Sequence, residues 1–130
     1  MIVLDASAAL EVLVRTPAAA DVEERLFRPG ETLHAPHLID IEVAQVLRRY
    51  AAAHQIAPER GRAALDDLAD LPLTRYPHGF LVPRVWELRD NLTAYDAVYV
   101  ALAEALDARL LTRDERLAAA PGHRARVELV

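Results

Sequence analysis

Apolar positions recur in two rhythms along the chain. MIVLD opens with four apolar residues, two of them β-branched, which predicts a short buried strand ending at Asp5. From Ser7 to Val14 the spacing turns helical, and Pro17 can begin a second helix running from Ala18 to about Phe27, closed by Pro29 and Gly30. Thr32 to Ala35 reads as a second strand that Pro36 interrupts. The longest helix is predicted from His37 to about His54, where Ile39, Val43, Val46, Leu47 and Tyr50 share a stripe. Pro58 starts a further helix through Asp70. Leu71 to Tyr76 alternates like a strand, and a turn at Pro77–Gly79 leads into a helix to about Asp90 that Pro83 would disturb. The remaining elements are a helix from Thr93 to Asp107, a strand at Arg109–Thr112, a short helix from Asp114 to Ala120 and a last strand at Arg126–Val130.

Strands that alternate with helices predict an α/β fold: a mostly parallel sheet covered on both faces. No linker, repeat or low-complexity segment breaks the 130 residues, so one domain spanning 1–130 is expected. In open sheets of this kind, sites gather at the carboxyl ends of the strands. Asp5 ends the first strand, and Asp114 lies just past the strand at Arg109–Thr112.

Four acids fit the pattern badly. Asp96 sits with Leu92, Val100 and Ala103 on the apolar face of its helix, and Glu42 sits among Ile39, Val43 and Val46. Asp5 and Asp114 follow buried strands. Helix capping explains part of this: Thr93 and Asp96 have capping-box spacing, and Asp5 and Asp114 can each cap the helix that follows. Glu42 is mid-helix and caps nothing. Asp40, two residues earlier, points away from the stripe and is expected in solvent. Burying a lone carboxylate costs several kcal/mol or more unless it is paired or protonated. Four acids converging at strand ends are most simply stabilised by a divalent cation.

Composition narrows the chemistry. Cysteine is absent, which excludes disulfides and thiolate metal sites and makes a reducing cytoplasm the simplest compartment. All 15 basic residues are arginine, so a Walker A lysine, a Schiff-base lysine and a lysine base are excluded. The five histidines are scattered or straddle Pro36. An oxygen-only donor set therefore points to Mg²⁺ or Mn²⁺, and such sites serve phosphoryl transfer and phosphodiester hydrolysis. A net charge of -5 argues against gripping nucleic acid with the whole surface. Arg113, beside Asp114, and Arg15, at the end of the first helix, are the arginines expected to flank the cluster and hold a phosphate backbone. MIVLDASAAL carries no basic leader and is not expected to be a signal peptide. No apolar run approaches the about 20 residues of a membrane span.

The segments LDASA at 4–8, IEVAQVLRR at 41–49, LTAYDAVYVALAEAL at 92–106 and LLTRDERL at 110–117 resemble PIN-domain ribonucleases, most closely the VapC toxins of bacterial toxin–antitoxin pairs. The resemblance covers the whole length. It implies a three-layer α/β/α sandwich, an acidic quartet at Asp5, Glu42, Asp96 and Asp114, and Mg²⁺ or Mn²⁺ held chiefly by Asp5, Asp96 and Asp114. Ser7 and Thr112 match hydroxyl positions that orient the cluster. Gln45 stands where related toxins often carry Asn. The resemblance further implies RNA cleavage (transfer RNA or ribosomal RNA), a homodimer, and inhibition by a VapB-type antitoxin through which alone DNA is met. A PIN fold retained only for binding is the alternative. A haloacid-dehalogenase-type phosphatase also places Asp after its first strand, but needs a second Asp where Ser7 stands and commonly a lysine.

Overall fold

The computed structural model describes all 130 residues. Five strands form one sheet: β1 Ile2–Leu4, β2 Leu33–Pro36, β3 Leu73–Tyr76, β4 Arg109–Thr112 and β5 Arg126–Leu129. Their order is β3-β2-β1-β4-β5, and every pairing is parallel. The helices are α1 Ala6–Leu13, α2 Ala19–Leu26, α3 Leu38–Ala52, α4 Pro58–Asp70, α5 Val82–Glu87, α6 Ala94–Leu106 and α7 Glu115–Ala119. This is the expected α/β/α sandwich.

The chain winds outward from β1 twice, first to β2 and β3, then to β4 and β5. The strand order therefore reverses at β1, and the crevice at such a reversal opens at the carboxyl ends of β1 and β4. The two ends are held level by the Val3–Leu110 and Leu4–Leu111 pairings and by a 3.0 Å bond from Asp5 N to Leu111 O.

β1 is wholly buried, as its unbroken apolar run requires. α6 explains its own composition: every residue from Ala97 to Ala103 is buried, because the helix lies across β1, β2 and β4 with α5 on its outer side. Small Ala and Val side chains permit that close approach. α1 packs against α2, α3 and α4. No helix is long and apolar enough to cross a membrane.

Several boundaries differ from expectation. Pro36 closes β2 instead of interrupting it. The β1 register on β2 reaches only His34, so the missing N–H of Pro36 deprives β1 of no bond, while Pro36 stays paired with Tyr76 on the other side. Pro83 does not disturb α5 but sits in its first turn, where its lost N–H has no intrahelical partner anyway. The helix expected to continue to Asp90 stops at Glu87, with a 3₁₀ turn at Gly79–Leu81 before it. Asp40 is not free in solvent: Arg75 of β3 grips both its oxygens, at 2.8 and 2.9 Å.

Candidate active site

The carboxyl ends of β1 and β4 open into a cleft of about 770 Å³, walled by α1, α3 and the first turn of α6. Its lining carries five acids, Asp5, Glu11, Glu42, Asp96 and Asp114, and three arginines, Arg49, Arg113 and Arg116. All four acids singled out in the sequence are among them. None of the five histidines lines it. His34, for instance, is buried in β2 between Tyr76 Oη at 2.7 Å and Thr32 Oγ1 at 2.8 Å.

Asp5 holds the N-cap position of α1, yet its side chain caps nothing. The residue is only 6% exposed, and Oδ2 accepts from the hydroxyls of Ser7 and, at 2.9 Å, Thr112. Backbone amides set the direction of both hydroxyls. Arg113 N donates to Ser7 Oγ at 2.9 Å, and Asp114 N donates to Thr112 Oγ1 at 3.0 Å. Each hydroxyl proton is thereby left for Asp5. This lattice ties β1, α1 and the β4–α7 loop together, and it accounts for small hydroxyl residues at positions 7 and 112. Even so, burial holds the Asp5 carboxyl above its ordinary range, and the two hydroxyls offset only part of that.

Asp96 is the third residue of α6. Thr93 caps the helix, its Oγ1 accepting from Asp96 N at 3.2 Å, while the Asp96 carboxylate lines the cleft. Capping and facing the cleft are thus compatible. Burial raises the Asp96 carboxyl, and the charges of Asp5 and Asp114 raise it further; the Thr93 hydroxyl and Arg116 oppose them. Glu42, on α3, is also raised, by burial first and then by Asp5 and Asp96, against hydrogen bonding to Tyr99. Its Oε1 is sealed from solvent without a well-formed hydrogen bond.

Asp114 behaves differently. It caps α7, with Oδ1 accepting from Arg116 N at 2.9 Å and Leu117 N at 3.4 Å, and Arg116 Nη2 lies 3.4 Å from Oδ2. Burial pushes its carboxyl up, but these amides and the guanidinium outweigh burial and bring it below the ordinary range.

The two arginines proposed from sequence part company. Arg113 lines the cleft but is tethered: its Nε lies 3.4 Å from Glu11 Oε1, and its Nη1 donates to the Val130 carbonyl. Arg15 is exposed, adopts a left-handed φ of 55° at the end of α1, and lies outside the cleft lining. Sequence reading passed over Glu11, Arg49, Arg116, Tyr95 and Tyr99. Signals existed for three of them. Arg49 lies seven residues after Glu42 on α3, hence on the same face. Arg116 belongs to the Asp114 cap. Tyr99 is three residues after Asp96 and is the one hydroxyl in a stripe of Ala and Val.

Three of the cleft's carboxyls are raised, and one Glu42 oxygen has no hydrogen-bond partner. All donors are hard oxygens, which suits Mg²⁺ or Mn²⁺. No three acidic or histidine side chains stand close enough to hold a metal ion by themselves.

Comparison with known proteins agrees with this geometry. The PIN domain family profile matches residues 2–122. The chain is 48% identical over 129 residues to ribonuclease VapC1 of Mycobacterium tuberculosis, covering 98% of this chain and 96% of that protein. It is 50% identical over 117 residues to ribonuclease VapC9 of the same organism, covering 90% and 88%. Among solved structures, VapBC2 of Rickettsia felis, bound to a DNA fragment from its promoter, superposes with a TM-score of 0.74 at 16% identity, covering 99% of this chain and 98% of that one. VapC20 of Mycobacterium tuberculosis, described as a toxin that cleaves the sarcin–ricin loop, superposes with a TM-score of 0.71 at 14% identity, covering 92% and 94%. The chain belongs to the PIN-domain family, on its VapC branch.

Proposed function

We propose that this protein is a divalent-cation-dependent endoribonuclease, a single PIN domain that hydrolyses RNA phosphodiester bonds as the toxin of a toxin–antitoxin pair. One observation carries the reading: Asp5, Glu42 and Asp96 converge in one cleft with their carboxyls raised by burial, and Glu42 and Asp96 raised further by neighbouring acids, while arginines line the same walls. The mycobacterial relatives are named as ribonucleases, which supports the same substrate class.

Asp5 and Asp96 would hold Mg²⁺ or Mn²⁺, with Asp114 contributing the charge its capping role leaves available. When bound, the cation supplies Lewis-acid charge against the phosphate oxygens. Ser7 and Thr112 fix the Asp5 carboxylate so that it need not reorganise. The Glu42 carboxyl, which lines the cleft and is held at a raised proton affinity, takes the proton of the attacking water. Arg49 and Arg116 bind non-bridging phosphate oxygens, a task suited to a planar, permanently charged guanidinium. The leaving 3′ or 5′ oxygen is protonated from solvent, since the cleft is open.

A VapB-type antitoxin is the expected inhibitor, with DNA met only through it, and the active unit is expected to be a cytoplasmic homodimer. Transfer RNA and ribosomal RNA are the substrates to try first. The deciding experiment is cleavage of labelled RNA with Mg²⁺, with Mn²⁺ and with excess EDTA, alongside an Asp5→Asn variant. Cleavage that survives EDTA removes the metal from the reading. A folded wild type that binds RNA without cutting it under any cation favours a binding module.

A further inference from the structure

Tyr95 occupies the second position of α6, between the capping residue Thr93 and the carboxylate of Asp96. Its side chain is 63% exposed, and it lines the cleft next to that carboxylate. Ile41, one residue before Glu42 on α3, is 69% exposed and lines the same cleft. Single exposed apolar side chains are ordinary on protein surfaces. Here, however, the two large ones that reach the cleft each adjoin one of its acids in sequence, on two helices, α3 and α6, that both line it. The other exposed large apolar residues, such as Phe27, Trp86 and Leu129, are not in its lining.

Resting on the ribonuclease reading, we propose that Tyr95, with Ile41 in the same cleft, is a stacking platform for an unpaired nucleobase beside the scissile phosphate, and so makes the enzyme select unpaired RNA. A nucleotide is the ligand that joins a phosphate to a planar face of low polarity within one residue's reach. The cleft presents the matching pair: acids and arginines for the phosphate, an aromatic ring for the base. In a duplex both faces of each base are covered by neighbours, so the ring has nothing to stack on. Stacking tolerates any base, so the contact selects strandedness more than sequence.

The probe is a fluorescent oligoribonucleotide that the wild type cuts at one mapped bond, with a matched set carrying one abasic nucleotide at each position around that bond. Tyr95→Ala is expected to raise KM roughly tenfold to a hundredfold, the value of one base–aromatic stack, with kcat changed far less. Tyr95→Phe and Tyr95→Trp should restore KM, since the ring and not the hydroxyl does the stacking. At one position next to the cut, the abasic substrate should cost the wild type as much as Tyr95→Ala does, and cost the Tyr95→Ala enzyme nothing further. Binding to the Asp5→Asn protein should show the same coupling without turnover. Wild-type cleavage with Tyr95→Ala within twofold in KM, or multiplicative losses at every abasic position, overturns the platform while leaving the ribonuclease intact. Loss of affinity for a protein inhibitor alone, with RNA kinetics unchanged, assigns the surface to a protein partner and also overturns it. A wild type that neither cuts nor binds RNA overturns the function itself.

Discussion

Glu42 Oε1 and the Tyr99 hydroxyl are both sealed from solvent, and neither makes a well-formed hydrogen bond, although each shifts the other's proton affinity across the gap between α3 and α6. Tyr99 is fully buried, and its phenol is raised well above the ordinary range by burial and then by the Glu42 charge. Two unsatisfied buried polar groups side by side are a liability that stability alone does not explain.

Tyr99→Phe removes one of the two and keeps the ring that α6 packs around. Stability should hold or rise slightly, because an unsatisfied buried hydroxyl is lost. Cleavage at neutral pH should fall, because the Glu42 carboxyl that the hydroxyl holds down rises toward its protonated form. The Tyr99 hydroxyl lowers the Glu42 carboxyl, so its loss should move the acidic limb of the single-turnover pH–rate profile upward. An unchanged limb would remove Tyr99 from any role in setting Glu42.

The raised acids give the metal-free protein an unusual pH dependence. Asp5, Glu42 and Asp96 hold protons in the folded chain above the ordinary carboxylate range near pH 4, where the unfolded chain has lost them. Over that window the native state binds more protons, so stability from these groups falls as pH rises. Two other sets run the opposite way. Glu31, Glu104 and Asp114 are lowered, and their contribution is lost as pH drops below about 4. His34 is lowered by burial and then by the N-terminal charge, so its contribution grows with pH up to about 6.5. Asp5→Asn leaves both sets in place. Thermal melts in EDTA should therefore show wild type losing stability relative to Asp5→Asn as pH rises above about 4, and Mg²⁺ should close the difference. Parallel curves would mean that Asp5 carries no strain.

How far the sequence spoke for itself differs from element to element. β1 and β4 were legible because unbroken apolar runs have no other stable placement, and Asp5 and Asp96 were legible because a carboxylate in such a setting needs a reason. The roles of Pro36 and Pro83 were not, since whether a missing N–H matters depends on which neighbour strand or turn stands opposite. Asp40 hid its partner: Arg75 comes from β3, 35 residues away, and only the β2–β3 pairing brings them together. Arg15 and Arg113 were chosen by proximity in sequence. The tether of Arg113 to Glu11 is a tertiary contact that no local pattern announces.

Asp96 and Asp114 should separate when each is changed to Asn. Asp96→Asn relieves repulsion from Asp5 and Asp114, so the metal-free protein should melt higher, by about 2–8 °C if the relief is about 1 kcal/mol, while cleavage is abolished. Asp114→Asn keeps a side chain that caps nearly as well, so stability should change little and any lost cleavage reports its charge. Asp114→Ala should cost about 1 kcal/mol through the vacated cap of α7. If Asp114→Asn cuts RNA at the wild-type rate, Asp114 is a structural cap alone.

Salt dependence tells the arginines apart. Arg49 is exposed on the cleft side of α3, two turns beyond Glu42 and so about 10 Å along the helix. It joins none of the chain's salt bridges, whereas Arg113 is shared with Glu11 and the Val130 carbonyl. A free guanidinium binds phosphate without first giving up a partner. For single-stranded RNA bound by the Asp5→Asn protein, each phosphate contact adds about 0.7 to the slope of log affinity against log salt. Arg49→Ala should remove about that much, and Arg15→Ala, outside the cleft, should remove none. Arg113→Ala should fall between them. Glu11→Gln should then strengthen RNA binding and steepen the slope, because it releases Arg113 to the substrate while removing a negative charge from the cleft. Stronger binding with an unchanged slope would show that Glu11 acts only by its own repulsion, and that Arg113 stays bound to the protein when RNA arrives.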